Sequence, residues 1–138
     1  MSSLDIYALD TNVILRYILG KEQPFYQQAK TIIQAVKHGQ VDVHLDPIIL
    51  GEAVWVLTSF YELSPESIAE GLLPIIALDH LHLAGKDRYL TALKLYPETK
   101  HFGDACLCAL AMEEAEGDVL SFDRRIDKVA GIQRYESL

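Results

Sequence analysis

The sequence predicts an α/β domain whose sheet is mainly parallel and holds four to five strands, and three observations carry that expectation. Short apolar runs recur along the chain, each followed by a stretch with helical spacing, and such alternation needs crossover helices over both faces of a parallel sheet. The opening run Ile6-Tyr7-Ala8-Leu9 is continuously apolar, as a strand covered on both faces is. At 138 residues, half of them hydrophobic, the chain is long enough for one ordinary domain, residues 1–138, and it carries no repeat, linker or low-complexity segment.

Each element follows from local chemistry. The first strand ends at Asp10, and a helix is expected over residues 13–19, stopped by Gly20 and capped by Asp10 or Asn12. Pro24 opens a second, amphipathic helix with Ala29, Ile32, Ile33 and Val36 on one face and Gly39 as its stop. Residues 41–45 alternate as a strand, and Asp46-Pro47 supplies a cap and a first-turn proline for a third helix reaching about residue 60. That helix is apolar nearly all round, so it is expected to be buried, with Glu52 conspicuous in it. Ser64-Pro65-Glu66-Ser67 starts a fourth helix, which Pro74 should end or kink. A third strand fits residues 78–83, then a helix closed by Pro97, a helix over 104–116 stopped by Gly117, a strand over 118–122, a short helix over 124–129 and a closing strand over 131–135.

Composition excludes several classes. The apolar runs fall short of the roughly 18 residues that cross a bilayer, and the first residues lack a basic, hydrophobic leader, so a soluble cytoplasmic protein with no membrane partner is expected. Cys106 and Cys108 lie two apart in a predicted helix, on different faces, and read as core thiols in a reducing compartment. No second Cys or His pair has the spacing of a structural zinc site, and the five histidines show no metal spacing either. A net charge of −8 argues against a protein that coats nucleic acid electrostatically. It leaves room for an enzyme acting on nucleic acid, because acids gathered around divalent cations invert the local charge.

Four acids stand where chemistry is expected. Asp10 and Asp123 end predicted strands, Asp104 opens a helix that precedes one, and Glu52 sits in the apolar third helix. Helix capping accounts for each aspartate taken singly, whereas Glu52 among apolar residues either needs a cation to offset its desolvation or reaches water along a polar edge with Gly51, Thr58 and Ser59. Taken together they could face one cleft at the carboxyl edge of the sheet, where open α/β sheets bind ligands. Like charges so gathered call for a hard cation with oxygen ligands, Mg²⁺ or Mn²⁺, which activates water and stabilises the leaving oxygen of a phosphodiester.

The same residues resemble a known family. Leu9-Asp10-Thr11-Asn12-Val13-Ile14-Leu15, Gly51-Glu52-Ala53-Val54-Trp55-Val56-Leu57, Phe102-Gly103-Asp104-Ala105-Cys106-Leu107-Cys108-Ala109 and Leu120-Ser121-Phe122-Asp123 are similar, in that order, to the motifs of PIN domains, and among them to the VapC-type ribonuclease toxins of toxin-antitoxin pairs. The resemblance implies a three-layer α/β/α sandwich and metal-dependent endonucleolytic cleavage of RNA. It assigns metal ligation to Asp10, Asp104 and Asp123, and makes Glu52 a further ligand or the group that orients the attacking water. Asn12 and Ser121 match positions that support the acids, and Asp127 is a further acid near the site or a solvated surface residue. The resemblance also implies a homodimer and a small antitoxin whose tail enters the cleft.

Arg16, Arg124 and Arg125, each close in sequence to one of these acids, are the candidates for contact with substrate phosphate. Tyr7, Tyr17, Tyr61 and Trp55 read as core because of their apolar neighbours. Two rivals remain. A haloacid dehalogenase-like phosphatase also opens on a strand ending in aspartate, but needs a second aspartate where this chain has Asn12. The other rival is a non-catalytic module that binds nucleic acid or protein on the same fold.

Overall fold

A computed structural model describes residues 4–138. Among them the order is β1 (Ile6–Ala8), α1 (Thr11–Leu19), α2 (Tyr26–Lys37), β2 (Asp42–Leu45), α3 (Pro47–Ser59), α4 (Pro65–Ile76), β3 (Leu81–Leu83), α5 (Lys86–Thr99), α6 (Phe102–Glu114), β4 (Asp118–Leu120), a 3₁₀ turn (Arg124–Lys128) and β5 (Gln133–Tyr135). All strand pairings are parallel, so the α/β class holds. Hydrogen bonding divides the strands into a sheet of order β1-β2-β3 and a separate pair β4-β5. Contacts gather the chain into two compact units, one ending at Lys86 and the other running Asp87–Leu138.

In the first unit, Leu9 extends the ladder beyond β1 by donating its N–H to the carbonyl of His44 at 2.9 Å. α1 packs against α2 and α3, α3 against α4, and α4 against β3. Ile14, Val43, Leu50, Leu57, Ile68, Leu72, Ile76 and Leu81 are all at or near full burial and form the apolar interior. The caps stand where the sequence places them: Asp46 accepts from the N–H of Ile48 at 2.9 Å and Ser64 Oγ from the N–H of Ser67 at 3.1 Å. Gly20 ends α1.

The third helix corrects the expectation of all-round burial. α3 buries Leu50, Ala53, Val54 and Leu57 on one face and turns Ile48, Glu52 and Trp55 outward, Trp55 being 66 % exposed. Tyr7 is likewise 54 % exposed, and neither aromatic is core. An apolar neighbour in sequence does not fix which way a side chain faces once helix and strand periodicity divide the faces.

In the second unit, Cys108, Ala111, Val119, Ile126, Val129 and Ile132 form a compact apolar cluster, with Leu95 and Leu107 packed on it. α5 runs past Pro97 to Thr99 instead of closing there, and α4 runs past Pro74 to Ile76. A proline in the last turn removes only one intrahelical bond, and the N–H of Lys100 still reaches the carbonyl of Tyr96 at 2.8 Å. Gly117 has φ +87°, and a Cβ there would lie 2.0 Å from the carbonyl oxygen of Gly131, which is why the turn into β4 takes glycine.

Candidate active site

Asp10 and Glu52 belong to the first unit, Asp104 and Asp123 to the second. Each is built into its place by the local fold.

Asp10 follows β1 and caps α1, with Oδ1 accepting from the N–H of Thr11 at 2.9 Å. It lies on the rim of a cleft of about 910 Å³ at the end of the three-stranded sheet, with Asp46, Asp79, His44, His82 and Lys86 also lining it. Ala8, His44 and His82 are cross-strand partners in one row, so their side chains share a face; the two imidazoles stack at 4.9 Å. Behind them one oxygen of Asp42 takes both His80 Nδ1 at 3.0 Å and His82 Nε2 at 2.9 Å. Those hydrogen bonds, that of His82 first, hold the Asp42 carboxyl below its ordinary range. Asp46 and the histidine row escape a sequence reading because Asp46-Pro47 reads as a cap alone and the row exists only once strand register is known.

Glu52 is exposed on the outer face of α3 and does not line this cleft. Asn12 is exposed as the second residue of α1. The side chain of Arg16 is occupied, donating to Gln23 Oε1 at 2.8 Å.

In the second unit Asp104 and Asp123 come together. Asp123 is two residues beyond Ser121, whose hydroxyl accepts its backbone N–H at 3.0 Å, so Ser121 fixes the turn that presents the carboxylate. Asp123 Oδ1 caps the 3₁₀ turn by accepting the N–H of Arg125 at 2.9 Å, and Oδ2 accepts Arg125 Nε at 2.7 Å. The hydrogen bonds from Arg125, side chain first and then backbone, draw the Asp123 carboxyl below its usual range. Asp104 is not a cap: His101 holds the N-cap position of α6. Its side chain is only 17 % exposed, and Oδ2 is buried with no hydrogen-bond donor. The terminal nitrogen of Arg125 approaches that oxygen at 3.4 Å, a charge contact too long to count as a good hydrogen bond. The guanidinium therefore bridges the two carboxylates.

Asp127 is paired with Arg134, which reaches its two oxygens at 2.8 and 3.2 Å and also donates to the carbonyl of Ser121 at 3.1 Å. This ion pair braces β5 against the end of β4. Arg124 is exposed beside it. Cys106 and Cys108 are free thiols in α6, and burial pushes the Cys106 thiol up to about 11.

A family model for the PIN domain matches residues 7–132. The chain belongs to the PIN domain family. PIN domains are generally nucleases, bind nucleic acid and generally use divalent metal ions. No curated protein matches the chain. No helix among the described residues is long and apolar enough to cross a membrane.

Among the described residues no three His, Cys, Asp or Glu side chains are grouped around a metal position. Mg²⁺, however, is commonly held by one or two carboxylates, with waters and substrate phosphate completing its shell. The Asp104–Asp123 pair meets that requirement: one oxygen is buried without a donor, and a guanidinium already stands in as the cation.

Proposed function

We propose that this PIN domain is a metal-dependent endoribonuclease, and that Asp10, Glu52, Asp104 and Asp123 carry its chemistry. The observation that supports the reading best is Asp104, a largely buried carboxylate with one oxygen left without a hydrogen-bond donor and a 3.4 Å charge contact to a cation it shares with Asp123. A buried charge so poorly satisfied costs stability, and such costs are retained where a bound ion offsets them.

In this reading Asp104 and Asp123 hold Mg²⁺ or Mn²⁺, and the motif resemblance makes Asp10 a further ligand. The ion when bound supplies Lewis acidity toward the scissile phosphate. Glu52, exposed and unencumbered by burial, serves as a further ligand or orients the attacking water. Ser121 fixes the Asp123 turn, Asn12 supports the first acid, and Asp127 steadies the region through Arg134. Arg16, Arg124 and Arg125 contact RNA phosphate. The family match runs through both compact units, which supports one domain over residues 1–138 as a three-layer sandwich. The four ordered motifs support the VapC-type toxin branch, and with it a homodimer in the cytoplasm and a small antitoxin that blocks the cleft. The family assignment leaves the phosphatase rival without support.

The test is cleavage of structured RNA and single-stranded DNA by the purified chain, with Mg²⁺ or Mn²⁺ and with EDTA. RNA should be cut only with metal, and Asp104→Asn or Asp10→Asn should reduce the rate by at least about a hundredfold. Thermal stability should be unchanged or raised in Asp104→Asn, since a buried charge is removed. Asn at position 10 still caps α1. Cleavage that survives EDTA, or full activity in both variants, would overturn the proposal; binding without cleavage would favour the non-catalytic module.

A further inference from the structure

Arg125 has a place in the metal chemistry that neither its sequence position nor the family assignment supplies. Its guanidinium is held on Asp123 by two routes, Nε to Oδ2 at 2.7 Å and the terminal nitrogen to the same oxygen at 2.5 Å, and that nitrogen lies 3.4 Å from Asp104 Oδ2. The backbone N–H of Arg125 donates to Asp123 Oδ1, so main chain and side chain clasp the carboxylate from both ends. One positive charge therefore sits on the two oxygens that the proposed ion would use. The two bonds differ in what they leave available. The main-chain bond engages Oδ1 and persists whatever occupies Oδ2, whereas the side chain is 52 % exposed and has solvent to move into.

We infer that Arg125 is a resident counter-ion of the Asp104–Asp123 pair, that a divalent cation displaces it, and that the displaced guanidinium then takes a phosphate of the RNA. The inference rests on the proposed metal-dependent reading and adds an order to it. Without metal the acids are neutralised and the arginine is occupied. Once an ion takes the carboxylates, the arginine loses both partners and is left as a planar bidentate donor beside the metal position, the geometry that suits phosphate. Metal loading and substrate binding are thereby coupled through one side chain, with no larger conformational change required. Arg125 acts here as a positioning and binding residue.

Titrating Mn²⁺ alone into the metal-free full chain by calorimetry tests the first half. Removing the competing charge with Arg125→Gln should tighten Mn²⁺ binding about fivefold, the scale expected for a half-exposed ion pair, with Arg125→Lys falling between. A short 2′-O-methyl RNA, which resists cleavage, tests the second half by fluorescence anisotropy. The parent should bind it more tightly with Mn²⁺ than with EDTA, and Arg125→Gln should lose most of that gain. Equal or weaker Mn²⁺ binding by Arg125→Gln, with the parent binding normally, overturns the displacement and leaves the metal reading standing. Absence of Mn²⁺ binding in parent and variant alike overturns both. Unchanged RNA binding by Arg125→Gln overturns the transfer to phosphate.

Discussion

Asp42 shows what a single side chain contributes. Its carboxylate accepts from His82 and His80, and these bonds hold its folded pKa below the ordinary value of 3.8. A carboxyl depressed by folding contributes stability that is complete above its unfolded value and vanishes as the pH falls through the folded one. Asp42→Asn should therefore lower the urea midpoint at pH 6, and the gap to the parent should close as the pH drops below 3.8, followed by urea titrations at several pH values. The cysteines give a second test at this scale. Burial pushes the pKa of both the Cys106 and Cys108 thiols up, the former to about 11, so little thiolate exists near neutrality. Iodoacetamide should label neither at pH 7.5 in the folded chain and both in urea, as mass spectrometry would show. Their place in the apolar part of α6 was legible from spacing alone. The Asp42 network was not, since it joins residues about forty positions apart through strand register.

At the scale of elements, caps and glycine stops were readable because they are local chemistry. Asp10, Asp46 and Ser64 cap the helices their side chains favour and Gly20 ends α1, whereas α6 stops at Glu114 with Ala115 as its cap, two residues before Gly117. Gly117→Ala should cost about 3 kcal/mol, since the turn needs both positive φ and room against the carbonyl of Gly131. Chemical denaturation measures it, and a loss under 1 kcal/mol would show that the backbone there shifts cheaply. Helix facing was less legible. α3 has apolar residues almost everywhere, so its hydrophobic pattern has no direction, and only packing against α1 and α4 selects the face of Leu50, Ala53 and Leu57. Leu57→Ala should cost about 3 kcal/mol as a fully buried cavity mutation, whereas Glu52→Gln should change stability by under about 0.5 kcal/mol. The division of the strands into a set of three and a pair was likewise hidden, because run length and composition do not say which edges meet.

For the whole molecule, the chain of −8 net charge meets a polyanion. Repulsion should keep RNA binding weak in EDTA, and divalent cations should strengthen it beyond what an equal ionic strength of NaCl achieves. Anisotropy in matched Mg²⁺ and NaCl series decides between specific charge inversion and simple screening. The four candidate acids stand out in the sequence because each sits in a short motif, and the family match spans those motifs from residue 7 to 132. Their states were not legible: Asp10 and Asp123 are caps as well as candidate ligands, Asp104 is buried, and Glu52 is in the open.

The two faces of α3 set one further condition on this protein. The face that secures the scaffold and the face that carries Glu52 are different rows of the same thirteen-residue helix. Substitutions can thus accumulate on the outer row with little penalty for foldability, so variants altered at Glu52 should still accumulate in cells as intact, well-expressed protein.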